Sequence, residues 1–78
     1  MNLTIQLTTE YIPLSSALKL AGAVASGGEA KQFIQAGMVH LNGEPDTRRS
    51  AKVRPGDTIV LKVKPLIQIS VVAAQEER

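Results

Sequence analysis

The stretch SGGEAKQFIQAGMVHLNG, residues 26–43, gives the clearest prediction of local structure in this sequence. Ser26 is a favourable N-cap residue, and Glu29 stands three positions later, so the pair predicts a capping box at the start of a helix. The apolar residues after the cap have the three- and four-residue spacing of one helical face; they are Ala30, Phe33 and Ile34. A short amphipathic helix beginning at Ser26 is therefore expected.

The same stretch predicts how this helix ends and which elements come next. Gly37 comes after the last apolar position, where glycine commonly takes the left-handed conformation that ends a helix. Residues 38–41 then form a short strand, and Asn42-Gly43 is the strongest short-range signal for a two-residue β-hairpin turn. Helix, strand and tight turn are thus expected in immediate succession.

Two elements are predicted before this stretch. Apolar residues alternate with polar ones over residues 2–8, which predicts a half-buried strand. A second helix is predicted from Leu14 to Ala21, with Pro13 in its first turn and Gly22 at its end. Since this helix is short, its stability must come from packing against the rest of the chain.

Strands dominate the prediction after the hairpin turn. Residues 54–57, Arg-Pro-Gly-Asp, predict a type II turn, and residues 58–63 predict a strand whose apolar face is Ile59, Leu61 and Val63. Residues 66–72 predict a last strand, which could pair within the sheet or lie at a dimer edge. We expect an α+β fold in which two short helices pack on a small, mostly antiparallel sheet. Residues 1–78 are expected to form one domain, with a frayed tail at 74–78.

Composition excludes several classes of protein. The 78 residues include no cysteine and one histidine, so disulfides, thiolate metal sites and His-rich zinc sites are not expected. No apolar run is long enough to cross a bilayer, and the N-terminus lacks the layout of a signal peptide, so a cytoplasmic protein without a membrane partner is expected. We expect no cofactor and no metal. The oligomeric state is left open.

Catalysis is not expected either. His40 has no Ser, Cys or Asp placed to act with it, and its alternation with Val39 and Leu41 predicts an exposed strand position where it could stack on a base. A β-grasp carrier would need a C-terminal Gly-Gly, whereas this chain ends Gln-Glu-Glu-Arg. The predicted catalytic residues are therefore none, and the predicted class is non-enzymatic.

Positive charge is concentrated in one part of the chain. The net charge is only +2, yet residues 47–64 contain six basic residues and the single acid Asp57. Such a segment indicates an anionic partner, of which nucleic acid is the commonest. A solvated basic face without a partner, or a protein-interaction module that binds an acidic protein, are the alternatives. Lys62 and Lys64 are interpreted separately, as the solvent face and exit of the closing strand, where protection of an exposed edge is a sufficient reason for them.

From Pro13 to Val63 the chain resembles the S4 RNA-binding domain, and it looks most like the small stand-alone S4-like proteins of bacteria. The resemblance is carried by the apolar and glycine positions of both helices, by Asn42-Gly43, and by Val53, Gly56, Asp57, Ile59 and Val60. It implies that structured RNA, ribosomal or tRNA-like, lies across the two helices and the adjoining loop, with the ribosome as a candidate partner.

The residues expected to bind RNA combine this resemblance with the charge pattern. Phosphate contacts would supply most of the affinity, because aromatic residues are only 3% of the chain. In many S4 domains basic residues come directly after the capping serine, whereas Gly27 and Gly28 do so here, leaving backbone N–H groups to meet an anion. The predicted RNA-binding residues are Lys19, Ser26, Gly27, Gly28, Lys31, Gln32, His40, Asn42, Arg48, Arg49, Lys52 and Arg54.

Overall fold

The computed structural model describes residues 1–74 and contains two helices and seven strands. The helices are α1, Leu14–Leu20, and α2, Gly27–Gln35. The strands are β1 Asn2–Leu7, β2 Ile12–Pro13, β3 Val39–Leu41, β4 Glu44–Pro45, β5 Lys52–Val53, β6 Thr58–Leu61 and β7 Ile67–Ala73. The predicted α+β class and both predicted helices are confirmed.

Five strands form the main sheet in the order β1-β7-β6-β3-β4. Strands β1 and β7 pair in parallel and the other neighbours are antiparallel, so the sheet is mixed but mostly antiparallel, as expected. Strand β7 lies between β1 and β6, which settles its pairing within the sheet rather than at a dimer edge. Lys62 and Lys64 are exposed, as predicted, but β6 has neighbours on both sides, so protection of an exposed edge is wrong as the reason for them.

One hydrophobic cluster joins the helices to one face of the sheet. Leu14, Leu18 and Ile34 are fully buried on the helices, and Ile59 and Ile69 are fully buried on adjacent strands. The cross-strand pairing of Ile59 with Ile69 places these two side chains on the same face, under the helices. The alternate residues of the strands lie on the opposite, outer face of the sheet.

The start of α2 and the ends of both helices agree with the sequence signals, whereas Pro13, predicted in the first turn of α1, is instead its extended N-cap and part of β2. The Ser26 hydroxyl accepts a hydrogen bond from the Glu29 N–H at 3.2 Å, and the Glu29 carboxylate accepts one from the Ala25 N–H at 2.9 Å. The carboxylate thus reaches one residue before the N-cap rather than the N-cap itself. Gly22 and Gly37, with φ of 75° and 76°, end α1 and α2 in Schellman motifs.

A two-stranded ladder between β2 and β5 was not predicted. It pairs Ile12 with Val53 and Pro13 with Lys52, so the loop that was expected to be irregular is tied to the start of α1. At the first residue of the predicted frayed tail, the Ala74 N–H donates to the Leu7 carbonyl at 2.8 Å. The remainder of that prediction, residues 75–78, lies outside the described residues.

Candidate nucleic-acid interface

Residues 48–54, which we call the basic segment, are held against the start of α1 by backbone hydrogen bonds. The Leu14 N–H donates to the Ala51 carbonyl at 2.8 Å, and the Ser15 N–H donates to the Arg49 carbonyl at 3.1 Å. These first N–H groups of a helix have no partner within the helix, so the segment satisfies two of them. The backbone of the basic segment is thereby fixed while its cationic side chains remain exposed.

Arg48 is partly engaged within the protein. Its Nε and one terminal nitrogen donate to the two carboxylate oxygens of Asp46 at 3.1 and 3.0 Å, and its N–H donates to the same carboxylate at 2.9 Å. These hydrogen bonds lower the pKa of Asp46 and raise the pKa of Arg48. The Arg48 side chain is still 74% exposed, so the guanidinium edge that faces away from Asp46 is accessible.

The other three cations of the basic segment have no such partner. Arg48–Asp46 is the one ion pair found within residues 1–74, so no carboxylate there neutralises Arg49, Lys52 or Arg54. Arg48, Lys52 and Arg54 line a shared polar cavity together with Ser50 and Ala51. The structure therefore brings together three of the four cations predicted in this segment and leaves Arg49 exposed beside them.

Tyr11 lies within this cluster, and the sequence interpretation did not include it. The Lys52 Nζ is 4.9 Å from the centre of the Tyr11 ring, and the Arg54 Cζ is 5.7 Å from it. Both distances are within the range of cation–π interactions. The sequence contained one signal for Tyr11, since it is an aromatic residue in an otherwise polar connection. Its proximity to Lys52 could not be predicted, because it depends on the β2–β5 ladder.

Asn42 and Asp57 connect the hairpin turn to the turn that precedes β6. The Asp57 carboxylate accepts hydrogen bonds from the Arg54 N–H at 2.8 Å and from the Asn42 Nδ2 at 3.1 Å. The Asn42 Oδ1 accepts one from the Thr58 N–H at 2.9 Å. Asn42 has a φ of 53° and Gly56 a φ of 98°, the left-handed backbone that such turns require. Asn42 is predicted to bind RNA, but its side chain is occupied in this connection.

Five of the predicted RNA-binding residues lie at the N-cap of α2 or on α2 itself. The Ser26 hydroxyl is occupied as the N-cap of the helix. Lys31 and Gln32 are exposed on the helix surface. A Cβ added at Gly27 would meet no atom within 4 Å, and one at Gly28 would meet only the Ser26 hydroxyl at 3.8 Å. Neither glycine is needed for the fold of the free chain, since neither has a positive φ.

Lys19 and His40 lie on different sides of the molecule. Lys19 is exposed on α1, where it borders a mainly apolar groove with Ile12, Ser16 and Leu20. His40 is half-buried next to the fully buried Val39, so the alternation of the strand places it on the outer face of the sheet, away from the helices. The structure does not bring His40 to the basic segment.

Two further properties concern cofactors and membranes. Across residues 1–74 no group of three or more His, Cys, Asp or Glu side chains is arranged to hold a metal ion. Over the same residues, neither helix has the length and apolar character needed to cross a bilayer.

Comparison with known proteins agrees with this fold. Residues 5–70 match the S4 domain. The chain is also similar to a probable ribosome maturation protein RlbA of Bacillus subtilis, with 43% identity over 58 residues, which are 74% of this chain and 82% of that protein. The S4 domain match covers both helices, the basic segment and most of the main sheet. The chain therefore belongs to the S4 domain family.

Proposed function

We propose that this protein is a non-enzymatic, cytoplasmic RNA-binding protein that acts on structured RNA, in association with the ribosome. Membership of the S4 domain family and the similarity to a probable ribosome maturation protein support an RNA-binding, ribosome-associated role. We further propose that residues 1–78 act as one domain and that the RNA is ribosomal or resembles tRNA.

The observation that carries this proposal is the basic segment. Arg49, Lys52 and Arg54 lack a carboxylate partner in the described part of the chain, and Arg48 keeps an open edge. Cations that have no internal partner and whose backbone is fixed bind phosphates with little loss of conformational freedom.

Each group has a distinct part in the proposed mechanism. The basic segment neutralises phosphates, and Arg48 and Arg49 can bind them with two parallel hydrogen bonds because guanidinium is planar. Lys31 adds a contact from α2, which fixes the orientation of the RNA. The N–H groups at the start of α2, beside Gly27 and Gly28, would meet one further phosphate at close approach. Recognition would depend on the shape and phosphates of the RNA more than on its bases.

The test is the double variant Arg48→Glu with Arg49→Glu, measured for binding to a structured ribosomal RNA fragment. Loss of charge-assisted contacts is expected to weaken binding about tenfold or more. The matched control is Lys62→Glu with Lys64→Glu, which makes the same change in net charge at the opposite end of β6. If both variants weaken binding equally, the basic segment is not the RNA-binding surface.

An acidic protein remains the second candidate partner for the same segment. Affinity capture with and without ribonuclease treatment separates the two. Partners that disappear after ribonuclease treatment support RNA binding, whereas partners retained through the basic segment would support the protein-interaction alternative.

A further inference from the structure

Tyr11, Lys52 and Arg54 share one side of the β2–β5 ladder. Ile12 pairs with Val53, and Pro13 pairs with Lys52. Because side chains alternate along a strand, the residues beside Ile12 and Val53 point away from the core. Val53 is fully buried, whereas Tyr11, Lys52 and Arg54 are exposed. The ring and the two cations are therefore set side by side by backbone pairing rather than by flexible side chains.

The side chains of Lys52 and Arg54 have no ion-pair partner among the described residues, although the Asp57 carboxylate accepts a hydrogen bond from the Arg54 backbone N–H at 2.8 Å. Two cations lie within 5.7 Å of one ring centre, and no carboxylate in residues 1–74 forms an ion pair with either of them. The same two cations line the polar cavity that also contains Ser50 and the accessible Arg48. A phosphate entering this cavity would relieve the repulsion between like charges that the ring now only partly offsets.

The ring is accessible as well. Tyr11 is 41% exposed, and an aromatic ring beside a polar cavity lined by cations has the composition of a nucleotide-binding subsite. Base stacking on an aromatic ring contributes more than an exposed cation–π contact does, so an unpaired base can replace the cations on the ring. The displaced cations would then face the phosphate of the same or the adjacent nucleotide.

We propose that Tyr11, Lys52 and Arg54 form a subsite for one unpaired nucleotide, with its base on the Tyr11 ring and its phosphate between the two cations. This inference rests on the proposed RNA-binding function and makes it more specific. It predicts that the protein prefers RNA with an unpaired loop, a bulge or a single-stranded end over a blunt, fully paired helix, although most of its contacts are to phosphates.

The chain offers a direct reporter for this subsite. It contains one tyrosine and no tryptophan, so its intrinsic tyrosine fluorescence reports Tyr11 alone. The experiment titrates the protein with an RNA hairpin that has an unpaired loop and with a blunt duplex of the same number of nucleotides. A base that stacks on the ring is expected to quench the Tyr11 emission when the hairpin is added. The duplex has no unpaired base, so it should leave the Tyr11 emission nearly unchanged.

Two variants separate stacking from a structural effect. Tyr11→Leu is expected to weaken hairpin binding by about 5- to 150-fold, the usual range for one stacked base, whereas Tyr11→Phe keeps the affinity. Because the ring also contacts Lys52 and Arg54, Tyr11→Leu can weaken duplex binding through these cations; the subsite predicts a clearly larger loss for the hairpin than for the duplex. Circular dichroism melting of each variant verifies that it is folded.

The outcomes distinguish this inference from the function on which it rests. Binding of both RNAs with unchanged Tyr11 emission, or a Tyr11→Leu variant that binds the hairpin as tightly as the parent, overturns the subsite and leaves RNA binding intact. Failure of the parent to bind either RNA overturns the proposed function and the subsite together.

Discussion

Replacing Asp57 by alanine should destabilise the protein, because its carboxylate holds two turns together. It accepts hydrogen bonds from the Arg54 N–H at 2.8 Å and the Asn42 Nδ2 at 3.1 Å. A hydrogen bond to a charged acceptor contributes about 1.5–3 kcal/mol, and the half-buried position of Asp57 argues for the lower end. Asp57→Ala is therefore expected to lower the free energy of unfolding by about 2–3 kcal/mol.

This prediction can be measured by urea unfolding monitored by circular dichroism, with an unchanged m value as the sign of an intact two-state transition. For a chain of this size the loss corresponds to a fall in Tm of roughly 10–20 °C. Asp57→Asn keeps one acceptor oxygen and should lose about half as much. Glu44→Ala, an exposed position on β4, is the control and should change stability by less than about 0.5 kcal/mol. If Asp57→Ala is as stable as Glu44→Ala, the connection between the turns contributes nothing to the fold.

Three further predictions concern the charge of the interface and the start of α2. Asp46→Asn keeps an acceptor for the Arg48 N–H but releases the Arg48 guanidinium, so the affinity for RNA, measured by fluorescence anisotropy, should rise. A fall in affinity would mean that the ion pair positions Arg48 for binding. Because Arg48 lowers the pKa of Asp46 in the folded state, the ion pair stabilises the protein above the ordinary carboxyl pKa of 3.8 and loses this effect as the pH falls through the lowered value. Urea unfolding at a series of pH values should therefore show the parent losing more stability on acidification than Asp46→Asn; parallel profiles would contradict the shift. Gly27→Ala should raise thermal stability slightly, because the added Cβ meets no atom within 4 Å and alanine favours the helix. The same variant should weaken RNA binding if a phosphate closely approaches the backbone at Gly27, and an unchanged affinity would exclude that approach.

The features that the sequence predicted well are those determined by neighbouring residues. Ser26 and Glu29 predicted the start of α2, Gly37 its end, and Asn42-Gly43 the hairpin turn, because a cap or a tight turn involves only a few consecutive residues. Alternation likewise identified the buried residues of the strands, since a residue's face depends on its parity along the strand.

The features that the sequence did not predict depend on pairing between distant segments. The parallel pairing of β1 with β7 joins the two ends of the described chain, and the β2–β5 ladder joins residues about forty positions apart. Neither pairing has a local signal. The ladder is also the reason why Tyr11 lies beside Lys52, and hence why the aromatic residue of the interface was missed. One missed feature is local: the Arg48–Asp46 ion pair joins residues two positions apart, and it reduces the charge that was assigned to the basic segment.

The most direct test of RNA binding through phosphates is the salt dependence of affinity for a structured RNA. If about four phosphates are neutralised, the slope of log K against log salt concentration should be roughly −3 to −4. Arg48→Glu with Arg49→Glu should reduce the size of that slope by about 1–2, whereas Lys62→Glu with Lys64→Glu should leave it unchanged. A slope near zero for the parent protein would contradict the central claim that the basic segment binds the RNA backbone.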